Sequence, residues 1–399
     1  MRRRAKYAVL QVLLLVVMVP LGIVAGWHTV SPSAGDLAAR AARGGDAGAL
    51  LELVQRAKWD VISAEELSRL VGHDAAAMHE LASLASGHEE AMDYLFSLAR
   101  HRPQTLVLLS DLELSYDFAL RVLQRLDASG MPALRRYAAT HANAAFVLGV
   151  AYENACHVPQ DWGQAAWWYG LAHAAGYAPA CAYYAPAAYQ AGLAANDAGA
   201  SASWYRKAAE CGHAAAQCAL GVCYAAGEGV DMNMPEAVAW YRRAAAQQMV
   251  DAQFNLGWCY LHGEGVPADA AESACWFRLA AEQGDDLSQY YLGRAYELGQ
   301  GVPQDFDEAV RWYGWAVEHG NAAAQCALGH CYAQGRGVPQ SWLRAVELYR
   351  SAAGQGRSEA MLALAHCLEN GLGVPQDAAE AARLRRLAQK EESQPTQNP

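Results

Sequence analysis

The chain has 399 residues, 18% of them charged and 53% hydrophobic, which excludes a collagen-like, low-complexity or largely disordered protein and leaves room for more than one domain. Thirty lysines and arginines against 41 aspartates and glutamates give a net charge of −11. Binding to a phosphate backbone needs clustered positive charge, so this balance argues against nucleic acid as a partner.

The chain begins with a basic segment, residues 1–6, followed by an uncharged apolar segment, residues 7–27. Since about 20 apolar helical residues cross a bilayer core, residues 7–27 are predicted to form a transmembrane signal-anchor helix in contact with lipid. Basic residues remain on the cytoplasmic side, which leaves the bulk of the chain periplasmic or extracellular. The predicted location is therefore the inner (cytoplasmic) membrane, with a single pass. The competing interpretation is a cleaved signal peptide, which would make the protein secreted.

Residues 31–142 have the apolar spacing of helices but lack the longer repeat that follows them. Gly72, Gly87, Pro103 and Gly130 interrupt this spacing. We therefore predict an all-helical N-terminal region that caps the rest of the chain.

Residues 143–390 repeat with a period of 36 residues. A Leu-Gly pair followed three residues later by Tyr recurs with its glycine at positions 149, 221, 257, 293 and 329. Positions 185 and 365 carry alanine and complete a series of seven repeats. Counting from the glycine as position 0, the leucine, glycine and tyrosine share one face of a predicted first helix. A Gly-x-Gly-Val-Pro loop then ends this helix.

A second helix is predicted in each repeat. It opens on a polar N-cap and carries small alanines and a Trp-Tyr or Trp-Phe pair for the core. The seven predicted N-caps are Asp161, Asp197, Asn233, Asp269, Asp305, Ser341 and Asp377. In repeat two, Pro186 falls inside the first helix, which is therefore expected to be kinked or shortened.

One helical hairpin cannot bury its apolar face alone, so neighbouring hairpins are expected to share a continuous core. The predicted fold class is all-α: a right-handed α/α solenoid of 36-residue helical hairpins over residues 143–390, with the helical N-terminal region and the transmembrane helix ahead of it. The tail, residues 391–399, is predicted to be disordered.

The combined pattern resembles the Sel-one-like repeat, a relative of the tetratricopeptide repeat with a longer loop inside the hairpin. The resemblance covers residues 143–390. It implies a scaffold that binds proteins or peptides, often at or outside bacterial membranes.

By the geometry of the tetratricopeptide repeat, positions −3, −2, +1, +4 and +5 of the first helices line a concave groove for a protein or peptide ligand. The candidate groove residues are Phe254, Asn255, Trp258, Leu261, His262, Tyr290, Tyr291, Arg294, Glu297 and His330. Tryptophan and arginine are common anchors of interfaces, so repeats four and five are predicted to bind most strongly. For Phe254 and Tyr290, filling gaps between neighbouring first helices is an equal alternative.

No catalytic residue, metal site or cofactor is predicted, because the common hydrolase, zinc and phosphate-loop motifs do not occur in the sequence. His330 and His366, both at +1, are interpreted as groove or surface residues. Most of the ten cysteines recur at −3 or +2 and are interpreted as buried thiols, because equivalent positions lie too far apart for disulfides. Cys211 and Cys218 are the pair that remains open to a disulfide.

The sequence favours a membrane-anchored, exported repeat scaffold that mediates protein–protein interaction or complex assembly in the bacterial cell envelope. An alternative is a carbohydrate- or polysaccharide-binding assembly protein, in which Trp258, Tyr290 and Tyr291 would stack on sugars. A second alternative is a cell-wall or β-lactam hydrolase, for which the resemblance, but no motif, provides support.

Overall fold

A computed structural model describes residues 32–42, 46–57, 116–126 and 131–393, together with positions 67, 81, 84, 88, 91 and 94. The basic segment, residues 1–6, the predicted transmembrane segment, residues 7–27, and residues 394–399 of the predicted tail lie outside this description. The prediction of disorder is wrong for residues 391–393, which belong to the last helix. Within the described part of the chain, no helix has both the length and the apolar character of a membrane span.

The chain divides into two compact modules, Met1–Leu112 and Glu113–Pro399. The first contains helices α1, Ala34–Ala42, and α2, Ala47–Ala57, which pack against each other. Leu37 in α1 and Leu53 in α2 are completely buried.

The second module opens with α3, Tyr116–Arg125, and α4, Met131–Ala138, and continues as seven helix pairs. The pairs are α5 Ala142–Glu153 with α6 Trp162–Ala174, α7 Ala180–Ala194 with α8 Ala198–Glu210, α9 Ala214–Ala226 with α10 Met234–Ala246, α11 Val250–His262 with α12 Ala270–Glu282, α13 Asp286–Leu298 with α14 Phe306–Glu318, α15 Ala322–Gln334 with α16 Trp342–Gly354, and α17 Ser358–Asn370 with α18 Ala378–Ser393. Helix α3 packs on α5, and from α4 onward each helix packs on the next, so the described part of this module is an all-helical solenoid of hairpins.

Polar N-caps open the second helix of every hairpin, as the sequence predicts. Oδ1 of Asp305, for example, accepts hydrogen bonds from the backbone N–H groups of Asp307 and Glu308, both at 3.0 Å. The other six predicted N-caps make the equivalent bond. Glycines in the left-handed conformation end five of the first helices: Gly227, Gly263, Gly299, Gly335 and Gly371.

The second glycine of each Gly-x-Gly loop brings neighbouring repeats together. Gly301 has a φ of +74°, and a Cβ at this position would overlap the backbone of Ala270 in the preceding repeat. Glycine alone adopts this conformation freely and permits this approach. The loop therefore sets the contact between repeats as well as ending a helix.

The position-0 glycines make room for an aromatic ring from the second helix of the same repeat. A Cβ on Gly293 would lie 2.7 Å from two ring carbons of Tyr313, and a Cβ on Gly257 would lie equally close to Phe277. Tyr313 and the adjacent Leu292 are completely buried. The prediction that the Leu-Gly face packs inward is confirmed.

Tyrosines at +3 connect successive repeats in a way that the sequence analysis did not foresee. Their hydroxyls accept hydrogen bonds from arginines of the preceding repeat, from Arg206 to Tyr224, from Arg242 to Tyr260 and from Arg278 to Tyr296, at 2.7–2.9 Å. Gly314 occupies the corresponding arginine position of repeat five.

The first helix of repeat two was expected to be kinked or shortened, and the shortening is wrong. Helix α7 runs through Pro186 for 15 residues, two more than α9 or α11. The extension brings Gly192 against the ring of Tyr205, which restores the glycine–aromatic contact that Ala185 lacks. Packing in the longer helix thus outweighs the hydrogen bond lost at the proline.

All ten cysteines are free thiols. The six at −3 or +2 in repeats three to seven are buried, as predicted: Cys218, Cys223, Cys259, Cys326, Cys331 and Cys367. Cys211 is exposed while Cys218 is buried, and no disulfide joins them.

A glutamine pair supports three repeats, and in a fourth repeat the pair is incomplete. The Nε2 groups of glutamines at +26 donate to the Oε1 atoms of buried glutamines at −4, from Gln247 to Gln217, from Gln283 to Gln253 and from Gln355 to Gln325. In repeat five His319 occupies +26, and the buried Oε1 of Gln289 has no hydrogen-bond partner among the described residues.

The substitution His319→Gln is expected to raise the free energy of unfolding by about 1 kcal/mol, because it supplies a donor to the buried Gln289 oxygen. Urea unfolding followed by circular dichroism measures this change. His319→Ala is the control, since it removes the imidazole without adding a donor. An equal gain in both variants would contradict the explanation.

The exposed residue Gln248 has a φ of +63° at a position where five other repeats have glycine. A left-handed conformation costs a residue with a Cβ about 1–2 kcal/mol. Gln248→Gly is therefore expected to stabilise the protein by roughly 0.5–1 kcal/mol, after the entropy of glycine in the unfolded chain is subtracted. The same urea titration tests this, with Gln248→Ala as control. A stabilisation by alanine as large as that by glycine would rule out relief of backbone strain.

Candidate binding face

The predicted groove residues lie beside two adjoining cavities in repeats four to seven, which we call cavity A and cavity B. Cavity A has a volume of about 400 Å³ and is lined mainly by Trp258, Leu261, His262, Phe277, Tyr291 and Arg294. Cavity B has a volume of about 490 Å³ and includes Tyr290, Arg294, Glu297, His330, Arg336 and Glu359. Arg294 lines both, so we treat the two cavities together as one binding face.

One wall of cavity A is aromatic. The ring of Trp258 lies 4.1 Å from that of His262 and meets Tyr291 edge-on at 5.5 Å, measured between centroids. Tyr291 stacks on Phe277 at 5.2 Å with an interplanar angle of 16°. Such a half-buried pocket suits one apolar or aromatic side chain of a ligand.

Cavity B is polar, and its two carboxylates already have partners. Glu297 accepts a hydrogen bond of 2.6 Å from the hydroxyl of Tyr313. Burial, together with this bond, raises the pKa of Tyr313 far above its usual range. Glu359 lies 3.7 Å from Nε2 of His330 and 3.4 Å from Arg357. The hydrogen bond with His330 and the charge of Arg357 lower the pKa of Glu359.

Two arginines of cavity B contact aromatic rings and form no ion pair within the described part of the chain. The guanidinium carbon of Arg294 lies 6.0 Å from the ring centroid of Tyr290, and that of Arg336 lies 5.5 Å from the ring of Phe306. Arg294 is exposed. Arginine binds carboxylates through two parallel hydrogen bonds, so this pair offers a site for an anionic group.

Eight of the ten predicted groove residues line cavity A, cavity B or both. Phe254 instead lies behind cavity A, where its ring contacts Trp258, Phe277 and Tyr291. Asn255 points its amide towards Cys218 at 3.9 Å and lines neither cavity.

Sequence analysis missed three charged residues of cavity B: Arg336, Arg357 and Glu359. They lie outside the five first-helix positions that were considered. The sequence does distinguish Arg336. It stands between two loop glycines, where repeats three to five have an acidic or neutral residue: Glu228, Glu264 and Gln300.

Cys326 and His330 lie together beside cavity B, with Sγ 3.6 Å from Nε2. Burial raises the pKa of Cys326 to about 12. A nucleophilic cysteine requires the opposite shift, so this pair is not arranged like the centre of a cysteine hydrolase.

Comparison with protein families decides the nature of the solenoid. The family described as "Sel1 repeat" matches residues 178–213, 214–249, 250–285, 286–321, 322–356 and 358–388, which together make up more than half of the chain. The chain belongs to the Sel1 repeat family. Helices α5 and α6 lie ahead of these matches. Sel1 repeat proteins are typically non-catalytic scaffolds for protein–protein interaction.

Two solved structures illustrate the relationship within the Sel1 repeat family. A protective antigen present in uropathogenic Escherichia coli strains, described as displaying an SLR fold, is 30% identical over 67% of this chain with a TM-score of 0.52. The match spans 56% of the length of that protein. A Sel1 repeat protein from Oxalobacter formigenes is 34% identical over 53% of this chain and 85% of its own length, with a TM-score of 0.47. A comparison with curated proteins gave no match.

Proposed function

We propose that this Sel1 repeat protein is a scaffold whose binding face recognises a protein segment carrying an apolar or aromatic side chain close to a carboxylate. The observation that carries the proposal is the position of Arg294 on both cavities, between the aromatic wall of cavity A and a second arginine, Arg336, in cavity B. A peptide crossing the two cavities meets both chemistries within a few residues.

The charges around cavity B support a carboxylate as the ligand group. Three arginines line it against two glutamates, although the chain as a whole has a net charge of −11. Glu297 and Glu359 are already engaged by Tyr313 and by neighbouring cationic groups. Since Arg357 pairs with Glu359, Arg294 and Arg336 remain against the charge of Glu297, and this local excess of positive charge would speed the association of an acidic partner.

The aromatic contacts favour a peptide over a carbohydrate. Sugar binding uses open ring faces, whereas Tyr291 has one face on Phe277 and Trp258 packs closely on His262. These rings form the walls of a pocket for a side chain. A glycan ligand is accordingly an outcome of the experiment rather than the proposal.

Selection of peptides from a random display library on the purified protein tests the proposed function. The expected result is a motif that combines a large apolar residue with Asp, Glu or a free C-terminus within two or three positions. Selected peptides without any acidic group would contradict the proposal. So would binding to a glycan array together with no peptide enrichment.

We further propose that residues 7–27 anchor the scaffold in the inner membrane, with its N-terminus cytoplasmic and its repeats exported. Support comes from the apolar length of the segment and from the basic residues before it. Fusions of alkaline phosphatase after residue 399 should be active, and deletion of residues 1–27 should abolish that activity. An inactive full-length fusion, despite normal expression, would overturn the proposed export.

A further inference from the structure

Three side chains with metal-binding donors meet where repeat six contacts repeat seven. Nε2 of His330 lies 3.6 Å from Sγ of Cys326 and 3.7 Å from Oε1 of Glu359. One donor atom from each residue lies within 4.8 Å of the other two. Cys326 and His330 are one turn apart on α15, and Glu359 lies in the first turn of α17.

The sulfur–nitrogen distance matches the coordination shell of zinc, and the nitrogen–oxygen distance is somewhat longer than in that shell. With Zn–S and Zn–N bonds of about 2.3 and 2.0–2.1 Å and tetrahedral angles, the sulfur and nitrogen lie roughly 3.6 Å apart, as they do here. The corresponding nitrogen–oxygen separation is about 3.3 Å, so binding of the ion draws the Glu359 carboxylate closer to the imidazole. The Glu359 side chain is 59% exposed and is free to make this adjustment.

The surrounding contacts orient the donors as second-shell groups do in metal sites. Nδ1 of His330 lies 2.9 Å from the hydroxyl of Tyr349, which leaves Nε2 directed towards Cys326 and Glu359. Arg357 lies 3.4 Å from Oε2 of Glu359, on the oxygen that does not face the histidine. Both contacts hold a ligand in place while leaving its donor atom available.

No other repeat in the solenoid combines these residue types at the same positions. Repeat three has Cys218 at −3, but its +1 residue is Val222, although Asp251 of the next repeat supplies an acid at the place of Glu359. Repeat seven has His366 at +1 but Leu362 at −3. The repeat architecture alone therefore does not account for the cluster.

We propose that Cys326, His330 and Glu359 form a binding site for a borderline-soft divalent metal ion of the Zn²⁺ class. The ion replaces the proton on Cys326 Sγ, which passes to water, and is held by one sulfur, one nitrogen and one oxygen. Its fourth position, next to cavity B, is left to water or an incoming ligand. The site departs from the sequence-based expectation of no metal ligands, and it stands whether or not the face binds peptides.

Cobalt titration of the full chain, purified in detergent without a histidine tag and treated with a chelator, tests the site. Binding of one equivalent is expected, with a thiolate-to-Co²⁺ absorption band in the near ultraviolet and tetrahedral bands in the visible that Zn²⁺ abolishes. Cys326→Ala should eliminate the thiolate band, His330→Ala should weaken binding at least 10-fold, and Glu359→Gln should weaken it less. Thermal unfolding confirms that each variant is folded.

The repeats supply matched controls. Cys218→Ala and His366→Ala remove the same residue types at the same repeat positions and should leave the titration unchanged. The proposal is overturned if the wild-type chain gives no thiolate band, or if the band survives Cys326→Ala. It is equally overturned if binding is lost in His366→Ala rather than in His330→Ala.

Discussion

Replacing Gly293 with alanine is expected to lower the free energy of unfolding by about 2 kcal/mol, within the range found for overpacked cores. The added Cβ would lie 2.7 Å from two carbons of the Tyr313 ring and 3.3 Å from the carbonyl oxygen of Ala309. Tyr313 is completely buried and its hydroxyl is bonded to Glu297, so the ring cannot move aside without breaking other contacts. Urea unfolding measured by circular dichroism gives the change.

Gly314 provides the matched control in the second helix of the same repeat. A Cβ at this position has no atom within 4 Å. Gly314→Ala should therefore show only the helix propensity of alanine and stabilise the protein by about 0.5–1 kcal/mol. Opposite signs for the two substitutions are expected. If Gly293→Ala also stabilised the protein, the close packing of α13 on α14 would be wrong.

The largest expected effect on binding comes from Trp258 and Arg294. Each substitution by alanine should lower the affinity for a selected peptide by roughly 10- to 100-fold, as removal of a central interface anchor does. Trp258→Ala removes a wall of cavity A, and Arg294→Ala removes the cation shared by both cavities. Fluorescence anisotropy measures the affinities. The loss caused by Arg294→Ala should shrink as salt is raised, because it is electrostatic, whereas the loss caused by Trp258→Ala should not.

Trp315→Ala and Arg311→Ala are the matched controls for these two changes. Trp315 is 45% exposed, Arg311 is also exposed, and neither lines cavity A or cavity B. Both variants should bind the peptide as the wild type does. Comparable losses in the controls would show that the peptide binds elsewhere on the repeats.

The hairpins were predictable because their signals are local. Asp305 caps a helix through bonds to residues two and three positions later, and Gly299 ends one through its own left-handed conformation. Gly293 could be assigned a packing role because leucine, glycine and tyrosine recur on one helical face. The buried cysteines followed from the same periodicity, which placed Cys331 beside the glycine face.

What sequence reasoning missed depends on contacts between elements rather than on spacing within one helix. Gly192 replaces the missing glycine of repeat two only because α7 is longer, which shifts the contact with Tyr205 by two turns. Glu359 joins His330 from a different repeat, and Arg336 reaches cavity B from a loop. No single-helix pattern contains these neighbours.

A crystal structure of the protein with a selected peptide most directly tests the proposed binding face. The expected complex has an apolar side chain in cavity A between Trp258 and Tyr291, and a carboxylate within hydrogen-bond distance of Arg294 or Arg336. A peptide that enters neither cavity, with both arginines free of its carboxylates, would contradict the proposed function.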